Sequence, residues 1–327
     1  MREIDSLPSV SIVVVGKNEE KNLGKCFRSI FAIDYPSDKL EVVYVDTGSS
    51  DRSIDVASKF NVKVAEEHSD FPTPGLARNR GIREAKNDVI HFVDGDMTVT
   101  KTYLKKAVSV LGKNNIACVI GRVREKNRDR NFLSKILSYP WRIRKVGFVD
   151  APGAGGTFIK NALQEVGGYN PNILKGQETE LGTRMRQRGY NIYMIDSSMG
   201  VHDYCFSNLL GFMTHLYVIG KSYGRVLMLQ PMESYSDLTV RARSLLIQGV
   251  FFLILALVAF FAVNPILIVA FPLFIAIHVS VKYWNVYYTR RDWSALLYYL
   301  FMHLGKPIVF SGMMIFFAER FILGRYK

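Results

Sequence analysis

Two carboxylates stand one residue apart at Asp94 and Asp96, directly after the apolar run Val89–Val93. Paired oxygen ligands of this kind hold hard divalent cations such as Mg²⁺ and Mn²⁺, which in turn bind diphosphate oxygens. A single aspartate in such a place is more often a turn or cap residue. The pair therefore predicts a cation site only if other polar groups meet it in the fold.

Two earlier apolar runs end in polar groups of the same kind. Ser9–Val15 is followed by Asn18 and Glu19, and Leu40–Val45 is followed by Asp46. The carboxyl ends of parallel strands share one edge of a sheet, where ligands bind. Asp46 could there accept hydrogen bonds from a nucleobase or a ribose, and we expect all three strand ends to line one site.

The elements that would position these groups alternate between strand and helix. Apolar runs rich in β-branched residues indicate buried strands, and apolar residues spaced three and four apart indicate helices. The predicted strands are Ser9–Val15, Leu40–Val45, Val62–Ala65 and Val89–Val93, and the predicted helices include Ser53–Phe60, Leu76–Ala85 and Tyr103–Leu111. This alternation predicts an α/β fold with a mostly parallel sheet.

Beyond Asn114 the alternation weakens. The pattern there predicts strands at Ala117–Gly121, Phe158–Ile159 and Ile192–Ile195, helices at Phe132–Ile143 and Gln177–Gly189, and a charged excursion at Arg122–Arg130. The helix at Gln177–Gly189 carries a second candidate carboxylate, Glu178, in its first turn.

The charge and the cysteine content exclude several classes of protein. The 327 residues are 49% hydrophobic and 22% charged, with a formal net charge of +13. The basic residues are spread along the chain without a helix-turn-helix, zinc-finger or RNA-recognition signature, so we expect no nucleic-acid partner. Three cysteines without C-x-x-C spacing indicate neither a disulfide framework nor a zinc site. We expect no secretory signal, because the first apolar run is too short.

The apolar residues are concentrated toward the C-terminus. Leu245–Val281 contains no Lys, Arg, Asp or Glu, and its division at Asn264-Pro265 predicts a transmembrane hairpin, Leu245–Val263 and Ile266–Val281. A third segment, Trp293–Ala318, has Lys306-Pro307 at its middle and is either a kinked span or a shallow helical pair. Basic residues flank the hairpin on both sides, so we expect a multi-pass cell-membrane protein whose N-terminal domain is cytoplasmic.

Three parts of the chain follow from these patterns. They are an α/β domain at residues 1–205, amphipathic interface helices at residues 206–244, and membrane-embedded helices at residues 245–327. In the middle part, Leu209, Met213 and Leu216 belong to an apolar set at helical spacing. That helix either lies along a membrane surface or is an ordinary core-facing helix, and the adjoining apolar region favours the first.

Taken in order, the polar motifs resemble those of family 2 glycosyltransferases, which are inverting enzymes of the GT-A fold. The matching segments are VSIVVVGKNEE, VDTGSSD, ARNRGIREAKNDVIHFVDGD, GAGGTFIKNALQEVGGYN and GQETELGTRMRQRGY, between Ser9 and His202. The resemblance implies a Rossmann-like GT-A domain that binds a nucleotide-sugar donor together with a divalent cation, Mn²⁺ or Mg²⁺.

Residue by residue, the resemblance implies a nucleotide-sugar side, a metal side and a sugar side. The nucleotide-sugar side comprises Val15, Lys17, Glu19, Asp46, Arg78 and Asp94, with Arg78 near the diphosphate. Asp96 would be the main metal ligand, helped by Asp94 and His202; a structural role or a diphosphate contact is open for His202. Gly155 and Gly156 would allow close approach of a donor or acceptor sugar.

The resemblance places the catalytic base at Glu178, because the family commonly carries Glu-Asp where this chain has Gln177-Glu178. A base there would take the proton of an acceptor hydroxyl as its oxygen attacks the anomeric carbon. The alternative for Glu178 is a solvated helix carboxylate paired with Arg184 or Lys175.

These features predict an enzyme that moves one sugar from a nucleotide-sugar donor to a hydroxyl of a lipid-linked acceptor, a polyprenyl diphosphate-sugar, at the cytoplasmic membrane face. Single transfer is expected because no Gln-x-x-Arg-Trp, typical of the family's processive synthases, follows the Glu178 motif. Two alternatives stay open. One is transfer to a polyprenyl phosphate, and the other is a membrane-tethered nucleotide-binding module without catalysis.

Overall fold

The chain forms two compact units in a computed structural model. The structure describes residues 7–127, 129–137, 146–153, 155–202, 208–229, 237–261, 277, 281 and 294–325. The first unit contains residues 1–126 and 141–204, and the second contains residues 127–140 and 205–327. The second unit therefore takes a short segment from within the predicted N-terminal domain, in addition to the C-terminal part of the chain.

The first half of the first unit is the predicted strand and helix alternation. Its elements are β1 (Val10–Gly16), α1 (Glu20–Phe31), β2 (Leu40–Asp46), α2 (Ser53–Ala57), β3 (Lys63–Glu66), α3 (Pro74–Glu84) and β4 (Val89–Asp94). The four strands pair in parallel in the order β3, β2, β1, β4. Their carboxyl ends, with the predicted polar groups, therefore lie at one edge of the sheet.

The second half of this unit is mixed rather than parallel, which corrects the prediction of a mostly parallel sheet. It contains β5 (Met97–Val99), α4 (Tyr103–Val108), β6 (Ile116–Glu125), β7 (Gly147–Phe148), β8 (Gly156–Ile159), α6 (Lys160–Glu165), α7 (Gln177–Gln187) and β9 (Asn191–His202), with α5 (Phe132–Leu137) belonging to the second unit. Strand β8 runs antiparallel to both β4 and β6, whereas β6 and β9 are parallel. An apolar run reports burial and not direction, so the sequence could not distinguish the two pairings.

Two predicted segments are longer strands than the sequence indicated. The charged excursion at Arg122–Arg130 begins inside β6, and the short strand Ile192–Ile195 extends to His202. Arg122 Nε donates to Asp196 Oδ1 at 2.9 Å, so charged residues of these strands pair across neighbouring strands at the surface. Charge therefore marked a solvated face of the sheet and not the end of a strand.

The core lies on both faces of the sheet because β1 is buried on each side. Val10, Ile12 and Val14 face one hydrophobic cluster, and Val13 and Val15 face the other. Helix α1 covers the first face with residues three, four and seven positions apart, which are Leu23, Cys26, Phe27 and Ile30.

A buried histidine lies at the junction of the parallel and antiparallel parts. His91 on β4 is 1% exposed, and its Nδ1 lies 3.2 Å from the Gly156 carbonyl oxygen and 3.1 Å from the Thr157 hydroxyl. Burial lowers the pKa of His91 from 6.5 to about 4, against the hydrogen bond to Gly156. The imidazole is therefore neutral in the folded protein at physiological pH.

We expect this histidine to make the fold acid-sensitive. Between pH 6.5 and pH 4 the unfolded chain binds a proton at His91 that the folded chain does not, so the free energy of unfolding falls as the pH falls. The loss in the free energy of unfolding is about 3 kcal/mol. It is absent above pH 6.5 and complete below about pH 4. His91→Asn, which retains a hydrogen-bonding group near the Nδ1 position, should flatten this part of the pH dependence in urea unfolding. Equal slopes for both proteins would contradict the assignment.

The second unit is helical. Its described helices are α5, α8 (Leu209–Leu229), α9 (Asp237–Phe261), α10 (Ser294–Leu304) and α11 (Lys306–Phe321). Leu133, Phe212, Leu216 and Val309 form its buried core. Helix α8 is thus core-facing along part of its length, while Leu209 and Leu210 are exposed. Its location along a membrane surface stays a prediction.

The described residues cover only part of the predicted membrane spans. One helical stretch in the described residues, Leu297–Phe321, is long and apolar enough to cross a membrane. It carries a break at Gly305, between α10 and α11, where Pro307 removes a backbone donor near the start of α11. Most of Ile266–Val281 lies outside the described residues. The part of the predicted helix Phe132–Ile143 beyond Leu137 also lies outside them. The described residues therefore do not support a multi-pass arrangement.

Candidate active site

The loops after β1 and β2 are joined into one rim by their polar side chains. Asn18, which has a positive φ of 58°, accepts a hydrogen bond from the backbone of Ser50 at 2.8 Å. The backbone N–H of Glu19 donates to the Ser53 hydroxyl at 2.8 Å. Lys17 is exposed at the tip of this rim. The predicted polar strand ends are therefore brought together.

Asp46 serves the loop itself. Its side chain is fully buried and accepts hydrogen bonds from the backbone of Gly48 and Ser49 at 2.9 and 2.7 Å. It also accepts from the hydroxyls of Tyr44 and Ser49 at 2.8 and 2.6 Å. These four bonds use the accepting capacity of a carboxylate, so Asp46 fixes the turn after β2. A direct contact of Asp46 with a base or ribose stays a prediction.

The predicted metal ligands form one cluster. One ligand atom each from Asp94, Asp96 and His202 lies within 4.8 Å of the others, and His202 Nε2 lies 3.0 Å from Asp96 Oδ1. His202 comes from the end of β9, which pairs with β5 directly after the Asp94-Gly95-Asp96 turn. Two carboxylates and one imidazole are a donor set that suits Mn²⁺ and also accepts Mg²⁺.

The electrostatics of the cluster reflect the concentration of negative charge. Burial raises the pKa of Asp94, with Arg78 opposing and Asp96 adding to the rise. Burial by itself would lower the pKa of His202, but the hydrogen bond to Asp96 and the charges of Asp96 and Asp94 raise it overall. Burial also raises the pKa of Glu19, which faces the same charges. A cation at this cluster would relieve that repulsion.

Val15 holds the acidic turn against β1. Its carbonyl oxygen accepts the Gly95 backbone N–H at 2.9 Å, and its side chain is 6% exposed. A Cβ on Gly95 would lie 3.3 Å from Cγ of Glu19. Gly95 therefore allows Glu19 to approach the turn closely.

Arg78 lies between two carboxylates of the site, Asp94 and Glu178. Its side chain is 3% exposed, and its two terminal nitrogens lie 3.0 Å from Asp94 Oδ1 and 3.2 Å from Glu178 Oε1. The two carboxylates raise the pKa of Arg78 despite the opposing effect of burial. Each terminal nitrogen thus contacts one protein carboxylate, and the location of Arg78 near the diphosphate stays a prediction.

Helix α3 reaches this position by packing tightly on β1. A Cβ on Gly81 would overlap the Val13 side chain, so we expect Gly81→Ala to lower the free energy of unfolding by about 1–3 kcal/mol. Gly24→Ala on α1 is the matched control, because its new Cβ would lie 3.5 Å from the flexible end of Arg28. Its helix propensity should stabilise the fold by up to ~1 kcal/mol. Equal destabilisation of both variants in urea would show that space at Gly81 is not limiting.

Glu178 stands in the first turn of α7, where the helix dipole favours a negative charge. Arg184 does not pair with it, because Arg184 forms a two-pronged pair with Glu180 at 2.7 Å for each contact. The Glu178 side chain is 23% exposed. The site thus brings Glu178 to Arg78 and not to Arg184, one of the two partners that the alternative named.

Gly155 and Gly156 serve the packing of β8. A Cβ on Gly155 would lie 3.0 Å from the Phe92 carbonyl oxygen, and one on Gly156 would lie 3.1 Å from the Ile120 side chain. Both glycines are buried. The close approach that they permit here is to the protein itself, and an approach by a sugar stays a prediction.

Sequence reasoning missed the residues that hold α3 against the segment before α7. The Asn79 amide donates to the Tyr169 carbonyl at 2.7 Å and accepts from its N–H at 2.8 Å. The Thr73 hydroxyl donates to the Pro171 carbonyl at 2.9 Å, and the Arg78 guanidinium lies 5.3 Å from the centre of the Tyr169 ring. The available signal was the amide next to Arg78 in the run Ala77–Gly81.

The fold and the acidic cluster define a domain of the GT-A type. Residues 11–165 match the model of Glycosyl transferase family 2. The mannosyltransferase PcManGT from Pyrobaculum calidifontis, solved with GDP-Man and Mn²⁺, superposes with a TM-score of 0.61 at 18% identity, over 93% of this chain and 88% of that one. This likeness shows the fold.

Two relatives agree with the family match. The probable glycosyltransferase YdaM of Bacillus subtilis is 25% identical over 206 residues, which cover 57% of this chain and 48% of that protein. The beta-monoglucosyldiacylglycerol synthase of Synechocystis is 26% identical over 182 residues, covering 51% of this chain and 38% of that protein. The matched region thus spans half or less of each relative. The chain carries a family 2 glycosyltransferase domain.

Proposed function

We propose that the protein transfers a single sugar from a nucleotide-sugar donor to a hydroxyl of a lipid-linked acceptor, a polyprenyl diphosphate-sugar, at the cytoplasmic face of a membrane. The observation that carries the proposal is the cluster of Asp94, Asp96 and His202 at a strand end, joined through Arg78 to Glu178. This arrangement provides a site for a cation and diphosphate next to a carboxylate that can accept a proton.

The cluster fits a divalent cation by the chemistry of its donors, two carboxylate oxygens and one imidazole nitrogen within 4.8 Å. Asp94, Asp96 and His202 would hold the ion. When bound, it would neutralise the charge that develops on the departing diphosphate. The donor is proposed to lie with its nucleotide along the rim formed by Val15, Lys17 and Glu19, where Lys17 is free to approach it from solvent.

Glu178 is proposed as the general base. Its partly exposed carboxylate would accept the proton of the acceptor hydroxyl while the hydroxyl oxygen forms a bond to the anomeric carbon and the bond to the diphosphate breaks. Attack from the face opposite the leaving group inverts the configuration at that carbon. An acceptor phosphate is already ionised and needs no base, so Glu178 favours a hydroxyl acceptor over a polyprenyl phosphate.

The lipid nature of the acceptor is supported by the second unit. Several large apolar side chains of α9 are exposed, namely Ile247, Val250, Phe251, Leu253 and Ile254. Exposed apolar surface of this extent is typical of contact with a membrane or a partner. The Synechocystis relative is named for making a glucosylated diacylglycerol. These observations support the proposal that the acceptor lies in a membrane.

A donor panel tests the proposal. The purified chain is incubated with UDP-glucose, UDP-N-acetylglucosamine, GDP-mannose or dTDP-glucose, a membrane lipid extract, and Mn²⁺ or Mg²⁺. We expect one donor to release its nucleoside diphosphate in a lipid-dependent way, and EDTA to stop the release. Binding of a nucleotide without release, with or without lipid, would support the non-catalytic module instead. Release with purified polyprenyl phosphate as the sole acceptor would overturn the hydroxyl assignment.

A further inference from the structure

We propose that Arg78 is a positioning residue that holds the base Glu178 in register with the cation site, and that it does so as a buried fork and not as a ligand of the diphosphate. This inference rests on the proposed function. One terminal nitrogen of Arg78 donates to Asp94 Oδ1 at 3.0 Å and the other to Glu178 Oε1 at 3.2 Å. A single side chain thus contacts one carboxylate of the cation site and the carboxylate of the proposed base.

The two carboxylates come from distant parts of the chain. Asp94 ends β4 and Glu178 stands in the first turn of α7, so no local element fixes the distance between them. A planar guanidinium can donate along two separate directions, whereas an ammonium is a point charge on a flexible stem. The bridging geometry therefore requires arginine at position 78.

Arg78 is itself held in place. Its guanidinium lies 5.3 Å from the centre of the Tyr169 ring, which is a cation–π distance. The neighbouring Asn79 amide brackets the Tyr169 backbone with bonds of 2.7 and 2.8 Å. Because Tyr169 lies eight residues before the start of α7, these contacts tie helix α3 to the segment that leads to Glu178.

The bridge leaves the base able to act. Arg78 donates a hydrogen bond to Oε1 of Glu178. Within the described part of the chain no group donates to Oε2, so Oε2 is the oxygen placed to accept a proton. The Arg78 charge also lies between two carboxylates that would otherwise repel each other across a partly buried site. Loss of the bridge should thus displace Glu178 more than it changes the cation site, which keeps Asp96 and His202.

A double-mutant cycle tests this role. Arg78→Lys, Glu178→Gln and the double variant are assayed with the donor that gives the highest turnover in the panel, and Mn²⁺ binding is measured separately with the metal alone. We expect Arg78→Lys to lower kcat about 100-fold, as mispositioning of a catalytic group does, with the KM for donor and the Mn²⁺ affinity changed less than about threefold. In the Glu178→Gln background the same change should cost less than about threefold, because residues that act together are not additive.

Two variants secure the interpretation. Arg83→Lys on the same helix is the matched control, since Arg83 is 59% exposed and pairs with Glu67 at the surface; it should be active. Arg78→Gln removes the buried charge while retaining one N–H donor, and it replaces Arg78→Lys in the cycle if the lysine variant does not melt cooperatively.

Each outcome has one meaning. An equal loss from Arg78→Lys in both backgrounds, or a large rise in the KM for donor, would overturn the positioning role and favour a direct diphosphate contact. Full activity of Glu178→Gln alone would instead overturn the proposed base. The failure of the inference and the failure of the proposed function are therefore separable.

Discussion

Glu178→Gln is expected to lower the turnover for sugar transfer by about 10³-fold, within the range that general bases contribute. The amide keeps the size of the side chain and can still meet Arg78, but it cannot accept the hydroxyl proton. Binding of the donor and of Mn²⁺ should change little, because the cluster of Asp94, Asp96 and His202 is intact. The measurement is kcat with the active donor and saturating lipid acceptor, with donor affinity determined separately.

The matched control for this variant is Glu165→Gln. Glu165 is an exposed carboxylate in the same unit and accepts a hydrogen bond from Asn161 at 2.6 Å, so its loss should leave kcat within about twofold, as for most surface changes. Retention of wild-type turnover by Glu178→Gln would exclude a base at this position. An acceptor that is already ionised would then become the better explanation.

Asp96→Asn is expected to weaken Mn²⁺ binding by about 100-fold or more and to lower turnover by a similar factor at micromolar metal. The change removes the charge of one oxygen ligand from a site where the described residues offer two other candidate ligands, Asp94 and His202. Loss of supporting groups around a metal already costs 10–100-fold. The change also replaces the charged oxygen that lies 3.0 Å from His202 Nε2 by a neutral amide. A manganese titration monitored by EPR gives the Mn²⁺ affinity, and activity measured at each Mn²⁺ concentration gives the turnover.

Metal concentration distinguishes this variant from the base variant. Millimolar Mn²⁺ should restore part of the activity of Asp96→Asn and none of the activity of Glu178→Gln. Asp196→Asn is the control, because Asp196 also lies on β9 but is 74% exposed and pairs with Arg122 at the surface. Unchanged Mn²⁺ affinity in Asp96→Asn would show that the cluster does not bind the ion through Asp96.

Local patterns carried much of the fold. The run Ser9–Val15 predicted a strand now seen at Val10–Gly16, and the pattern of Tyr103–Leu111 predicted a helix now seen at Tyr103–Val108. These predictions succeed because burial and helical periodicity are properties of consecutive residues. Strand direction beyond β4 was wrong, since it depends on which distant strand supplies the neighbour.

The acidic groups show the same division. The sequence by itself determined that Asp94 and Asp96 follow a strand, that Glu178 begins a helix, and that their order matches one family of enzymes. These facts depend on residue type and spacing along one segment. They identified the family 2 glycosyltransferase domain before any pairing of strands was known.

Only the tertiary structure decided the partners of these groups. It joined His202 to Asp96 through the pairing of β9 with β5, turned Asp46 inward to hold its own loop, and placed Arg78 between Asp94 and Glu178. A charged side chain interacts with whatever the fold brings within a few ångströms, whatever the separation along the chain. The sequence alternative paired Glu178 with Arg184 or Lys175, whereas the arginine that reaches it lies a hundred residues away.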